Sequence, residues 1–143
     1  MEKNEVKCRI STVKKIAEDV LLIDIENKQS FELEDYHEVK RAVLKLGEGS
    51  SFYNIIKLEE NTLPTKDVRE ASSSVEGSYY KKADAFIVSS LAQKIMGNVM
   101  MRINKPIVPT KFFNSIDDAH QWLNELKESK FIDSRSGELT TLL

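Results

Sequence analysis

The spacing of apolar and polar residues changes several times along this 143-residue chain, and each change marks an element. Val6, Cys8 and Ile10 alternate with Lys7, Arg9 and Ser11, as in a half-exposed strand that can run on toward Ile16. Ala17, Glu18 and Asp19 fit a turn, and the apolar run 20–25 predicts a second strand. So short a connection predicts an antiparallel hairpin. Residues 27–29 lead into a helix, on which Leu33, Tyr36, the stem of Lys40, Val43 and Leu46 share one face. Gly47 and Gly49 mark its end.

Residues 52–58, aromatic and β-branched, predict a third strand, followed by a loop over 59–64. Thr65 is placed to cap the next helix, with Asp67 in its first turn near the positive end of the dipole. That helix, to about Glu76, is weak: Val68, Ala71 and Val75 are its apolar contacts, and Ser72, Ser73 and Ser74 have poor propensity. Gly77 and Ser78 end it.

Residues 83–88 predict a central strand covered on both faces, because the run Ala85-Phe86-Ile87-Val88 does not alternate. Ser90 and Gln93 have capping-box spacing at a helix start. Leu91, Ile95, Val99 and Ile103 then form one apolar stripe, and Ala92, Met96 and Met100 a second beside it, wider than one sheet face can cover. Pro106 stops the helix, residues 107–113 predict a strand, and Pro109 within that pattern predicts an edge. Ser115 with Asp118 opens a last helix that turns Ile116, Ala119, Trp122, Leu123 and Leu126 inward, with Trp122 expected in the core.

The order β-β-α-β-α-β-α-β-α predicts an α/β fold: a mixed, mostly parallel five-stranded sheet packed with four helices. Residues 1–128 are expected to form one domain, and residues 129–143 a C-terminal tail without periodicity. The wide stripe and the apolar tail residues Phe131, Ile132 and 139–143 lead to an expectation of self-association as a homodimer.

Composition narrows the function classes. Apolar residues make up 41% of the chain and charged ones 31%, as in an ordinary globular protein. The net charge is −2, with no basic block, which argues against nucleic-acid binding. Cys8 is the single cysteine, so intrachain disulfides and cysteine-rich zinc sites are excluded. No run is long and apolar enough to span a bilayer, and the start lacks the order of a signal peptide, so a cytoplasmic location is expected.

Residues 83–123 combine an apolar strand ending in Ser89-Ser90, a helix ending in Asn104-Lys105-Pro106, then Val108-Pro109-Thr110-Lys111 with Phe113, and a helix carrying Ala119, Trp122 and Leu123. This pattern resembles small bacterial proteins of the STAS (sulfate transporter and anti-anti-sigma) and Sec14-like folds, the sporulation anti-anti-sigma-like group. The resemblance is strongest over that third of the chain and extends more weakly back to about Val20. It implies a mixed sheet packed against helices and a mostly non-enzymatic, regulatory role. Anti-anti-sigma domains carry a phosphorylatable serine in an Asp-Ser-Ser/Thr-Gly-type motif after the third strand. Here that place reads Asn61-Thr62-Leu63-Pro64-Thr65-Lys66, so no phosphosite is carried over. A receiver domain fares worse: Lys105-Pro106 precedes its strand rather than following it, and Asp24 stands alone.

In such a sheet the default site lies beyond the carboxyl ends of the strands. Thr62, Thr65, Ser89, Ser90, Asn114 and Ser115 gather on that rim as a candidate interaction or anion surface, although Thr65, Ser90 and Ser115 are first explained as helix caps. His37 and His120 lie on separate helices with no carboxylate at ligand spacing, so no metal site is expected. Neither a nucleophile elbow nor a glycine-rich phosphate loop occurs, so catalytic residues and cofactors are expected to be absent. The expected function is a non-enzymatic STAS-like regulatory or protein-interaction module in bacterial signalling, with a protein partner. The alternative is a Sec14-like binder of a small amphipathic or lipid-like ligand. An apolar cavity of about 300 Å³ or more would favour the ligand binder, and an exposed apolar patch the interaction module.

Overall fold

The computed structural model describes residues 4–26 and 30–135, with side chains placed through residue 129. Its elements are β1 (Glu5–Lys7), β2 (Ser11–Ala17), β3 (Val20–Ile25), β4 (Ser30–Phe31), α1 (Leu33–Gly47), β5 (Phe52–Leu58), β6 (Leu63–Pro64), α2 (Lys66–Ser73), β7 (Lys81–Ile87), α3 (Leu91–Val99), β8 (Thr110–Phe113) and α4 (Ile116–Arg135). A 3₁₀ turn (Glu76–Ser78) precedes β7, and a π-helical turn (Met100–Asn104) extends α3.

The main sheet has six strands in the order β1-β2-β3-β5-β7-β8. β1, β2 and β3 pair antiparallel, and β3, β5, β7 and β8 run parallel. The class is the expected one, a mostly parallel mixed sheet with four helices. The count is six rather than five because the first predicted strand folds on itself: Cys8 N–H donates to Ser11 O at 2.7 Å, so β1 returns against β2. Arg9, at that corner, is tied down by Asp35 of α1, with Nη2 to Oδ1 at 2.7 Å. β4 and β6 add a short parallel ribbon at one end of the sheet.

Alternation along each strand divides the core into two layers. Leu21, Ile23 and Ile25 of β3, Phe52, Ile56 and Leu58 of β5 and Phe86 of β7 meet Val39, Val43, Val68, Met96 and Met100 from α1, α2, α3 and the π turn. The opposite positions, Val20, Tyr53, Ile55, Ala83, Ala85 and Ile87, meet Ala119 and Leu123 of α4. Three helices therefore cover one face and α4 the other. The long residues line the first layer, while Ala83, Ala85 and Ala119 let α4 approach closely.

Several expectations are corrected. Residues 83–88 do form an interior strand, but Trp122 is only half-buried at the margin of the second layer, against Phe113 at 5.6 Å between ring centroids. Leu123 takes the central place at 1% exposed, and Ile116 is exposed. α2 ends at Ser73 rather than Glu76, because Ser74 Oγ donates to Ala71 O and accepts from Gly77 N–H, a local turn that competes with the helix. β8 begins only at Thr110, since Pro106 and Pro109 lack the N–H a ladder needs, and it forms the predicted edge. α4 runs on to Arg135, into what was expected to be tail. Residues 136–143 and the side chains of Phe131 and Ile132 lie outside the described residues, and with them the expected role of the tail in a dimer.

Candidate functional site

The rim beyond the strand ends is assembled by Gln93. Its side chain is fully buried: Nε2 donates to Glu59 O at 2.6 Å and to Thr62 O at 2.9 Å, and Oε1 accepts from Ser89 N–H and Ser90 N–H. One amide thus ties the loop after β5 to the start of α3. Thr62, also fully buried, donates its hydroxyl to Glu26 O at 2.5 Å. Thr65, Ser90 and Ser115 accept from Val68, Gln93 and Asp118 N–H respectively, each as a helix cap. Ser89 and Asn114 are exposed. The structure therefore brings Thr62, Ser89 and Ser90 together through Gln93, while Asn114 and Ser115 belong to the neighbouring β8–α4 corner.

A second feature lies under α1 and α2. Asp84 of β7 and Asn54 of β5 are register partners on the face that carries the larger core. Asn54 Nδ2 donates to Asp84 Oδ1 at 3.0 Å, and Lys81 Nζ donates to Asp84 Oδ2 at 2.7 Å. Lys81 also donates to Ser72 O, and Lys40 Nζ reaches Gly77 O and Tyr79 O, each at 3.2 Å. Burial and the neighbouring Lys81 charge pull the Lys40 ammonium down to about 8, with Asp84 opposing. Burial, with Asp84 adding to it, pushes the Tyr36 phenol up to about 12. Tyr36, Lys40, Asn54, Ser72, Lys81 and Asp84 are among the residues around a cavity of about 70 Å³ whose open wall is almost wholly apolar, with Ile23, Val39, Ile56 and Phe86 contributing to it. Strand patterning alone misses this cluster. Its signal is Asn54 and Asp84, polar residues in mid-strand where both sheet faces are covered.

The third feature is α3 itself. Met96, Gly97 and Met100 face the core, and a Cβ on Gly97 would come within 3.0 Å of the Phe112 ring, which stacks on Phe86. The other stripe, expected to be buried, faces outward: Leu91 is 74% exposed, Ile95 54% and Ile103 73%, with Val99, Met101 and Ile107 also exposed. The turn that ends it is π-helical, closed by Lys105 N–H to Met100 O at 2.9 Å with Lys105 in the left-handed region. His37 is exposed and His120 half-buried, each on its own helix. No helix among the described residues is long and apolar enough to cross a membrane.

Comparison with known proteins places this geometry in a family. Residues 14–127 match the family model described as a domain of unknown function, DUF7793. No curated protein matches the chain. Among solved structures, the chain is similar to an uncharacterised protein of the DUF3478 family from Shewanella loihica PV-4, described as having a SpoIIAA-like fold. The two share 16% identity with a TM-score of 0.56, over 79% of this chain and 91% of the other. That likeness concerns the fold, and it is the STAS-like fold the resemblance implied.

Proposed function

This chain belongs to the DUF7793 family, and we propose that it is a non-enzymatic STAS-like protein-interaction module whose contact surface is the outer face of α3 and its π turn. The observation that carries the proposal is the exposed stripe Leu91, Ile95, Val99 and Ile103, continued by Ile107. Isolated surface hydrophobes are ordinary, but a row of them along one helix is a feature of interaction sites. A regulatory role in bacterial signalling is the extension that the STAS-like fold suggests.

Charge gives the partner its chemistry. From Ser89 to Ser115 the chain carries Lys94, Arg102, Lys105 and Lys111 and no Asp or Glu, within a protein of net charge −2. A face-to-face pairing of two α3 helices sets these cations against their own copies, which disfavours a homodimer through this surface. The fitting partner is a different protein presenting an apolar ridge bordered by carboxylates. The alternative of a lipid-like ligand is not favoured, because the cavity of about 70 Å³ is far smaller than such a molecule needs.

The test is site-specific photo-crosslinking in cells from Ile95, with Ile16 on β2 as the comparison site. The expected result is a discrete adduct from Ile95 alone. Its mapped contact segment is rich in Asp and Glu, and it disappears when Lys94, Arg102 and Lys105 are changed together to Glu. No adduct at Ile95, an adduct unaffected by the charge reversal, or one of twice the 16.3 kDa chain together with dimeric sedimentation, overturns the proposal.

A further inference from the structure

The larger core layer is not filled. Beneath α1 and α2 it leaves a cavity of about 70 Å³, whereas close-packed interiors hold few voids larger than a water molecule. Its wall is almost wholly apolar, with Val39, Val43, Ile56 and Met100 contributing to it. The charged residues around it commit their polar atoms to the protein. Lys40 Nζ donates to Gly77 O and Tyr79 O, Arg69 Nη1 to Pro64 O, and Lys81 Nζ to Asp84 and Ser72 O. The Tyr36 hydroxyl, Asn54 Oδ1 and Arg69 Nε have no partner among the described residues, but they are closed off. A molecule in this space therefore meets hydrocarbon and finds no hydrogen bond, which makes water a poor occupant.

The way in is also marked. Tyr80 is the one exposed residue around the cavity, while Tyr36 and Lys40 of α1 and Arg69 and Ser72 of α2 are half-buried. The opening is therefore narrow and lies between the two helices. Tyr80 has φ 66° without being glycine, a conformation that costs an ordinary residue energy and recurs at ligand sites. Its carbonyl accepts from Phe52 N–H, and the Tyr79 carbonyl accepts from Lys40, so the strained turn is pinned beside the opening. The wall opposite α1 is the easiest to displace: α2 has eight residues and stops where Ser74 turns back on Ala71 O.

From this void and its opening we infer that the cavity binds a small, uncharged hydrocarbon-like molecule that enters between α1 and α2. Size follows from volume. An apolar cavity of about 150 Å³ holds a benzene ring, so half that space takes about three or four non-hydrogen atoms. Charge follows from the wall, because an ion placed there would lose its hydration and gain no partner. The narrow opening favours a free molecule over a partner's side chain, since an anchor borne on a backbone needs an exposed apolar rim and Tyr80 alone supplies none. This site is on the core side of α2 and is independent of the outer stripe of α3.

Methyl NMR of the full-length chain tests this, with dissolved cyclopropane and 2-methylpropane as probes. Cyclohexane serves as the size control, and propionate and propylammonium as the charged controls. The expected result is saturable shifts at the Val39, Ile56 and Met100 methyls, with Val20 and Ile55 of the opposite layer unmoved. Cyclohexane is expected to bind more weakly and the two ions not at all. Val39→Leu extends a side chain into the cavity and should weaken 2-methylpropane binding about tenfold, while Ile95→Ser on α3 leaves it unchanged. Val43→Ile, which adds a single methyl at the same wall, carries the comparison if Val39→Leu does not fold. No saturable shift, equal shifts in both core layers, equal binding of either ion or of cyclohexane, or an unaltered affinity in the filled variant overturns the inference.

Discussion

Lys81 Nζ lies 2.7 Å from Asp84 Oδ2, and the two side chains are only 6% and 3% exposed, on a sheet face otherwise packed with Ile56 and Phe86. Such a pair is weak evidence of net stabilisation, because desolvating both charges offsets their attraction. Breaking it is another matter.

Asp84→Ala leaves the Lys81 ammonium buried without a counterion and removes the acceptor of Asn54 Nδ2. The expected loss is about 3–5 kcal/mol in a urea titration. Replacing Lys81 and Asp84 together by Met and Leu is expected to recover most of it. A loss below about 1 kcal/mol for the single change contradicts the buried pair.

The Lys40–Tyr36 region predicts a pH dependence with two opposite limbs. The folded-state value for Lys40 is lowered to about 8, against 10.5 for the ordinary group, so between those values the unfolded chain binds more protons and stability rises with pH. Tyr36 is raised from 10 to about 12, so its contribution is complete below pH 10 and is lost as pH climbs toward 12. Because Lys40 is partly solvated, its limb amounts to about 1–2 kcal/mol after screening. Denaturation midpoints from pH 7 to 11 check this: Lys40→Met should flatten the rising limb, and Tyr36→Phe the falling one.

Gln93 gives a sharper contrast with its capping partner. Ser90→Asp preserves the acceptor for Gln93 N–H and is expected to be neutral, whereas Ser90→Ala costs about 1 kcal/mol. Gln93→Leu orphans Glu59 O, Thr62 O and two N–H groups at once, and should cost about 2–4 kcal/mol. Equal losses for Ser90→Ala and Gln93→Leu would show that the amide does not hold the two loops together.

What the sequence disclosed follows from which physical effects are local. Strand and helix periods depend on neighbours within a few residues, and so do caps, so the succession of elements, the Ser90–Gln93 box and the Pro109 edge could be read directly. The orientation of α3 could not. Its two apolar stripes are adjacent and similar, and Gly97 decides between them only because Phe112, from a strand not yet formed, needs the space. Trp122 and Leu123 pose the same problem at one residue's separation, and the smaller Ala83 and Ala85 beneath α4 favour Leu123. The Lys81–Asp84–Asn54 cluster joins strands 30 residues apart, yet Asn54 and Asp84 each interrupt an apolar run and so left a mark. The second function of Gln93, bridging to Glu59 and Thr62, left none, because a capping box accounts fully for its presence.

Leu123→Ala should therefore destabilise more than Trp122→Ala, despite the larger side chain lost in the latter. Leu123 is 1% exposed at the centre of the second layer, while Trp122 is half-buried beside Phe113. Losses of about 3–4 and about 2 kcal/mol are expected by chemical denaturation. The reverse order would return Trp122 to the core and displace α4.

The two stripes of α3 should respond in opposite ways, and this bears on both packing and function. Met100 is buried at the start of the π turn, so Met100→Ala is expected to cost about 2–4 kcal/mol. Gly97→Ala pushes a methyl against the Phe112 ring and should cost about 1–3 kcal/mol, since Phe112 is itself held by its stack on Phe86. Ile103→Ser and Leu91→Ser remove apolar surface that is already in water, so changes within about 0.5 kcal/mol are expected for each. If the isolated chain instead lost several kcal/mol with Ile103→Ser, the outer stripe would be covered by the protein itself. A stable Ile103→Ser variant that loses the Ile95 crosslink separates binding from folding, because the same helix then carries core residues on one side and contact residues on the other.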